Sequence, residues 1–391
     1  MRMTPGRVAI AVTHLLGSGH LSRALALADA FARAGWTADV ISGGCPAPHL
    51  SPGRATLHQL PPLASAGTDF RTLLAADGRV AGPDDLAERR RTLAGLVDSL
   101  RPDVLITELF PFGRRALASE FESLLERARA AAEPPLVLAS VRDILAPPSR
   151  PERLRETEER LARFYDGVLV HSDPRLIPLE ASWPVTPAMR GLLHYTGFVA
   201  PPPPDAANGP EGHGEILVTA GGGPVGRVLF EAAARCAASG ALPQRWRLLA
   251  PAAEVTALAE HLHRIAGPER LTVEPLRPDF RSLLGRAAAS VGRCGYNTAL
   301  DCLALGVPSV FCPFEDGHET EQATRAALLA RRPGVATLRE ADLTPDTLAA
   351  ALAGVIGVAV PRLDPAALAG AARSVEIATA LWKDLRKERT R

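Results

Sequence analysis

The run Gly17-Ser18-Gly19-His20 places a histidine directly after a tight glycine turn, between the apolar stretch VAIAV and a helix-periodic stretch that begins at Leu21. A histidine in the first turn of a helix feels the positive end of the helix dipole. That disfavours the imidazolium form and leaves a neutral ring able to take a proton near pH 7. His20 is therefore a candidate general base, although position alone favours a capping or core histidine. A carboxylate that orients its ring would complete the arrangement. Glu108, at the end of DVLITE and just before Phe110-Pro-Phe-Gly-Arg114, is the first candidate; Asp143, at the end of LVLASVRD, is the second. An ordinary helix cap or ion pair is an equal alternative for either acid. As a dinucleotide fingerprint the glycine turn falls short. Residues 17–22 lack the third glycine, and the next strand-like run, TADVIS, ends on Gly43-Gly44-Cys45 without the acid that would bind ribose hydroxyls.

A second constellation lies in the other half of the chain. After the strand-like run ASVGR, Gly295 permits close backbone approach, and Asn297 and Thr298 stand where a helix begins. Such a terminus presents free N–H groups to an anion, here a diphosphate. One turn on, Asp301 shares the side of Asn297 or Thr298 and can meet ribose hydroxyls. After PSVFCP, the residues Glu319, Glu321 and Gln322 suit sugar hydroxyls. Arg114, Arg142 and Arg277 sit near strand ends and could meet phosphate, although surface arginines abound in this sequence and each alone reads first as a solvated one.

Periodicity gives these residues a frame. Runs of strand type alternate with helical patterns over 84–100, 114–132 and 150–164, the signature of parallel sheets with helices on both faces. The proline-rich segment 200–212 interrupts the pattern, after which EILVTA, the turn Gly221-Gly222-Gly223-Pro224 and a helix over 226–239 restart it. The expected organisation is α/β with two doubly wound, Rossmann-like domains, 1–199 and 213–391, facing across a cleft. The terminal helix, about 374–388, is a candidate to cross back to the first domain with Trp382 as its anchor. Ligands of such sheets bind beyond the C-terminal ends of the strands.

Composition limits the function. A net charge of +1 argues against nucleic-acid binding. The five cysteines, Cys45, Cys236, Cys294, Cys302 and Cys312, form no CxxC pair and fit reduced thiols better than zinc or disulfides. With no long apolar run and no leader-like start, the cytoplasm is the expected compartment. The run Arg89-Arg90-Arg91 reads as an exposed helix face that could touch acidic lipid at the inner side of a membrane.

The run from Arg293 to Ala326 resembles the donor-binding signature of GT-B glycosyltransferases, and most of all glycosyltransferase family 28. GSGHLSRALALADAF is similar to that family's N-terminal glycine loop and helix, and TAGGGPVG (219–226) to its second glycine loop. The resemblance implies a GT-B fold and transfer of a sugar from a nucleotide diphosphate, UDP in the first instance, to an acceptor that is a glycan, a lipid-linked molecule or a small molecule. It implies that Gly17, Ser18, Gly19 and His20 form the acceptor side, joined by Arg114. It places Gly221, Gly222, Gly223, Arg277, Gly295, Tyr296, Asn297, Thr298, Asp301, Glu321 and Gln322 at the donor. The first loop has fewer glycines than the family pattern, and Asp301 is shorter than the usual glutamate. The chain contains no DxD sequence, so helix termini and backbone amides are expected to stabilise the leaving diphosphate without metal or other cofactor. The reaction implied is direct displacement with inversion. A sugar-nucleotide hydrolase or epimerase, and a non-catalytic nucleotide-sugar binder, are the alternatives.

Overall fold

The computed structural model describes residues 6–67, 69–200, 211–220, 226–314 and 320–390. The prolines of 201–210, the turn Gly221-Gly222-Gly223 and Glu319 lie outside the described residues. The chain divides into two units, Met1–Val199 with Ala369–Arg391, and Ala200–Leu368.

Unit 1 carries strands β1 (Arg7–Val12), β2 (Thr37–Gly44), β3 (Thr56–Ala66), β4 (Asp69–Leu74), β5 (Val104–Glu108), β6 (Leu136–Arg142), β7 (Gly167–His171) and β8 (Leu193–Tyr195). They form one sheet in the order β4-β3-β2-β1-β5-β6-β7-β8. All neighbours are parallel except β3 and β4. Helices α1 (Gly19–Arg33), α2 (Pro83–Leu100), α3 (Ala118–Arg129), α4 (Pro151–Phe164) and the short α5 (Pro187–Arg190) connect them. Strands buried on both faces read as near-continuous apolar runs, which explains residues 104–106 in β5 and 136–139 in β6. One face packs α2, α3 and α4 around Phe121, Leu124 and Leu161. The other packs α1 around Leu21, Leu25 and Phe31.

Periodicity left β3 out because it contains Pro61 and Pro62, which supply no ladder N–H groups. The register with β2 shifts between Ser42 and Gly44 at this point. Side chains satisfy the carbonyls that the prolines leave behind. Gln59 Nε2 donates to Ser42 O at 3.0 Å and Gly44 O at 2.8 Å. Arg89 Nη1 donates to Gly43 O at 2.9 Å and also to Pro61 O. Arg89 is fully buried and paired with Glu120 at 2.9 Å. The run 89–91 is therefore not a uniform exposed face, as the sequence suggests; its first member braces the sheet edge, and Arg90 and Arg91 are exposed.

Unit 2 holds β9 (Ile216–Thr219), β10 (Trp246–Ala250), β11 (Leu271–Pro275), β12 (Ala289–Gly292), β13 (Ser309–Phe311) and β14 (Val335–Thr337) in the order β11-β10-β9-β12-β13-β14, all parallel. Its helices are α6 (Arg227–Ser239), α7 (Val255–Ala266), α8 (Phe280–Leu284), α9 (Tyr296–Leu305), α10 (Glu321–Leu329) and α11 (Pro345–Val355). The unit ends at Leu368, short of the expected 391. Helix α12 (Gly370–Thr390) belongs to unit 1 because Val375, Ala378 and Trp382 form a buried apolar stripe at helical spacing. Trp382 meets Trp36 edge-on at 5.0 Å between ring centres.

No helix among the described residues is long and apolar enough to cross a membrane.

Candidate active site

The side chains of one sheet face alternate along each strand, so Val104, Ile106 and Glu108 form a row, as do Leu136, Leu138 and Ser140, and Leu169 and His171. Each row is apolar until its C-terminal end, where it turns polar on the face covered by α1. Register sets Glu108 opposite Ser140 on the neighbouring strand. The outcome is a buried polar cluster at the strand ends, with His20 and Arg23 reaching it from the first turns of α1.

Glu108 is the centre of that cluster and is 1 % exposed. His20 Nδ1 lies 2.8 Å from Glu108 Oε1, and Arg23 donates to the same oxygen. The other oxygen, Oε2, accepts from Ser140 Oγ at 2.6 Å. Ser140 Oγ in turn lies 2.9 Å from His171 Nε2, and His171 Nδ1 lies 2.9 Å from Thr196 Oγ1. Arg23 Nη2 also stands 3.0 Å from His20 Nδ1. Both are donors converging on one carboxylate oxygen, so that approach is a shared acceptor and not a bond between them.

Burial raises the Glu108 carboxyl, but the Arg23 charge and the hydrogen bonds from His20 and Arg23 outweigh it, holding the group well below the usual carboxylate range. His20 is pushed well below its ordinary value chiefly by burial, against the opposing pull of Glu108. The direction is the one expected from the helix end, but the main cause is desolvation. A neutral ring that donates from Nδ1 carries its lone pair on Nε2, which has no partner among the described residues. The side chain keeps 14% of its surface exposed.

Gly17 has a φ of +63°, which an L residue adopts only with strain, and a Cβ at Gly17 or Gly19 would meet nothing within 4 Å. Ser18 directs its hydroxyl to His49 Nε2 at 3.1 Å and leaves the helix start uncapped. Beyond β5, Leu109 and Arg114 both have positive φ, at 69° and 60°. Two strained residues around Phe110-Pro111-Phe112-Gly113 hold Arg114 so that its Nε donates to Thr13 O at 2.6 Å. Burial, together with the Arg142 and Arg23 charges, lowers the Arg114 guanidinium to about 10. Asp143 is also buried, but it accepts from Ile144 N at 2.9 Å and does not touch His20. Of the two candidate acids, the structure brings Glu108 to the histidine.

In unit 2, Gly295 caps α9 without a side chain, and a Cβ there would meet nothing within 4 Å. Asn297 is exposed and Thr298 and Tyr296 are half-buried, so this helix start faces open space. Arg325, 1 % exposed, fixes it from below by donating to Cys294 O at 2.8 Å and pairing with Glu321 at 2.8 Å. Gln322 Oε1 accepts from Phe314 N at 3.1 Å. Asp301 is paired with Arg281 at 2.7 Å, and burial raises its carboxyl despite that partner. Arg277 pairs with Glu211 at 2.7 Å and Asp279 at 2.8 Å. Among the described residues the structure gathers Gly295, Tyr296, Asn297 and Thr298 at the start of α9, with the Arg325 guanidinium 5.9 Å from the Tyr296 ring centre; Asp301, Glu321, Gln322 and Arg277 are bonded to protein partners.

Among the described residues no group of three or more His, Cys, Asp or Glu side chains could hold a metal ion. The five cysteines form no disulfide among the described residues, and four of them are buried. The sequence reading omitted Arg23, Ser140 and His171. Arg23 stands three residues after His20, and the other two mark polar ends of apolar alternating rows; those are the signals that point to them.

Residues 259–357 match the glycosyltransferase family 28 C-terminal domain. The chain is 33% identical over 192 residues to the UDP-N-acetylglucosamine--N-acetylmuramyl-(pentapeptide) pyrophosphoryl-undecaprenol N-acetylglucosamine transferase of Methylobacterium nodulans, covering 48% of each protein. It is 30% identical over 195 residues to the enzyme of the same name from Granulibacter bethesdensis, covering 49% of this chain and 46% of that one. It thus spans about half the length of these curated relatives. Among solved structures, Acinetobacter baumannii MurG aligns over 98% of this chain and 99% of its own with a TM-score of 0.59 and 16% identity. The glycotransferase of kitacinnamycin aligns over 98% and 99% with a TM-score of 0.62 and 18% identity. At such identities the likeness concerns the fold. The chain is a GT-B-fold protein that resembles glycosyltransferase family 28 and matches that family's C-terminal domain over residues 259–357.

Proposed function

We propose that the protein is an inverting, metal-independent glycosyltransferase that takes its sugar from a nucleotide diphosphate, UDP-linked, and gives it to an acceptor hydroxyl. The observation that carries this reading is His20, a neutral ring oriented through Nδ1 by Glu108 with its Nε2 lone pair open. His20 Nε2 takes the hydroxyl proton as the acceptor oxygen bonds to the anomeric carbon. The bond from that carbon to the diphosphate breaks, and the electron pair leaves with the diphosphate. Glu108 stabilises the imidazolium that forms. The open start of α9, with Gly295 at its cap, supports a diphosphate seat in which helix N–H groups meet the leaving charge. The Arg114 guanidinium, held beside the acceptor-side loop by its bond to Thr13 O and close enough for its charge to act on His20, favours an acceptor with an anionic group, in keeping with the pyrophosphoryl acceptor named for the relatives. The compartment that fits this reading is the cytoplasm, with peripheral contact at the membrane.

The test is calorimetric titration of the full chain with UDP, followed by mass spectrometry of products from a panel of nucleotide sugars and acceptors, with and without EDTA. UDP binding and sugar transfer that persist in excess chelator are expected. Fast donor breakdown equal with and without acceptor would replace the reading with a hydrolase, and a magnesium-reversible loss of all activity would reject metal independence.

A further inference from the structure

We propose that Ser140 and His171 are positioning residues for the His20–Glu108 pair, fixing one carboxylate oxygen so that the other faces His20 Nδ1. The catalytic meaning of this proposal rests on the transferase reading; the positioning itself rests on geometry.

The direction of each hydrogen bond follows from the carboxylate outward. An ionised Glu108 only accepts, so the Ser140 hydroxyl hydrogen points at Oε2 across 2.6 Å. The Ser140 oxygen then has only lone pairs to offer His171 Nε2 at 2.9 Å, and that nitrogen must carry a hydrogen. Burial keeps His171 neutral, with the Arg23 charge acting in the same sense, so its Nδ1 is an acceptor and faces Thr196 Oγ1 at 2.9 Å. The relay therefore has one arrangement of protons as far as His171.

A histidine with no exposed surface is a costly choice for the end of the row that begins at Leu169. An apolar residue would fill the same space without desolvating a ring. What the histidine adds is a donor to the Ser140 oxygen, which favours the hydroxyl orientation aimed at Glu108. Without that aim the carboxylate could rotate toward Arg23 alone, and His20 would lose the partner that selects its tautomer.

The experiment uses the full chain with three variants: Ser140→Ala, His171→Leu and His171→Gln, the last keeping an N–H near the Nε2 position. Nitrogen NMR of the His20 ring should report the Nδ1–H tautomer in the parent and in His171→Gln, and a tautomer mixture in Ser140→Ala and His171→Leu. The transfer kcat should fall about 10-fold in the latter two, less than the ~10²–10⁴-fold that a general base supplies in full, with donor KM unchanged and recovery in His171→Gln. Ser140→Ala added to His20→Ala should cost nothing more, as expected for groups acting as one unit. An unchanged His20 tautomer in Ser140→Ala overturns the proposal, and so does full additivity with His20→Ala. Should the parent transfer no sugar at all, the transferase reading falls and the NMR comparison still decides the positioning.

Discussion

The strand ends of the two units solve different problems with different parts. In unit 1 the site is made of side chains: His20, Arg23, Glu108, Ser140 and His171 are packed into one buried hydrogen-bonded cluster. In unit 2 the open feature is backbone, the start of α9 at Gly295, and the nearby charged side chains are committed to one another, Asp301 to Arg281 and Glu321 to Arg325. Proton chemistry needs a tuned, oriented side chain, and burial supplies the tuning. Holding a diphosphate needs several donors at fixed positions, which a helix start provides without titrating. The difference predicts that damage in unit 1 lowers turnover, whereas damage in unit 2 weakens donor binding.

The largest effect should come from His20→Ala. Loss of a general base costs ~10²–10⁴-fold in turnover, and UDP affinity measured by calorimetry should stay within twofold of the parent. A transfer rate within a few-fold of the parent would leave His20 with a structural or acceptor-positioning role and erase the contrast between the units. Gly295→Asp attacks the other side. Its carboxylate would enter open space, caps α9 as aspartate commonly does, and should leave the melting temperature unchanged within a degree or two, about the few tenths of a kcal/mol that separate aspartate from glycine at an N-cap. The same charge opposes a diphosphate, so UDP affinity should drop about 10- to 100-fold. Unchanged UDP binding in a folded Gly295→Asp protein would remove α9 as the seat.

The smallest effect concerns acid. His171 is held neutral by burial, its pKa lowered to about 3, and His20 is shifted in the same direction. As pH falls through the ordinary histidine value near 6.5, the unfolded chain takes up protons that the folded one refuses. Stability is thus full above that value and lost progressively below it. Glu108, held ionised despite its burial, adds a further loss as pH falls below its unfolded value of about 4.5. Between pH 7 and 6 each histidine should account for about 0.7 kcal/mol. Hydrogen exchange should show protection falling in β5, β6 and β7 over this interval before it falls in β9, β12 and β13. Equal losses in both units would show that the acid response is not centred on the cluster.

Much of this was legible in the chain before any coordinates. Alternating apolar runs and glycine turns mark the two parallel sheets, since strands buried on both faces leave no other composition open. The Glu108 and His20 pairing was within reach because both residues end or follow a strand, where parallel sheets collect their ligands. What spacing could not decide was Glu108 against Asp143: both close apolar strands, and only the packing of α1 over one face selects between them. Nor could it show that Asp301 and Arg277 already have partners, because Arg281 and Glu211 meet them through tertiary folding. The strand at 56–66 was hidden by its own prolines, whose missing hydrogen bonds are made good by the side chains of Gln59, from the same strand, and Arg89, from α2.

The return of α12 to unit 1 also fixes an order of events. On a ribosome, α1 and Trp36 emerge early, and the helix that covers them emerges only after all of unit 2. From the last strand of unit 1, which ends at Tyr195, to the end of α12 at Thr390, that wait is roughly 10–40 s at typical elongation rates. For that time the first unit has its whole sheet but not its full cover, and the apolar side of α1 must be sheltered by something other than its native partner.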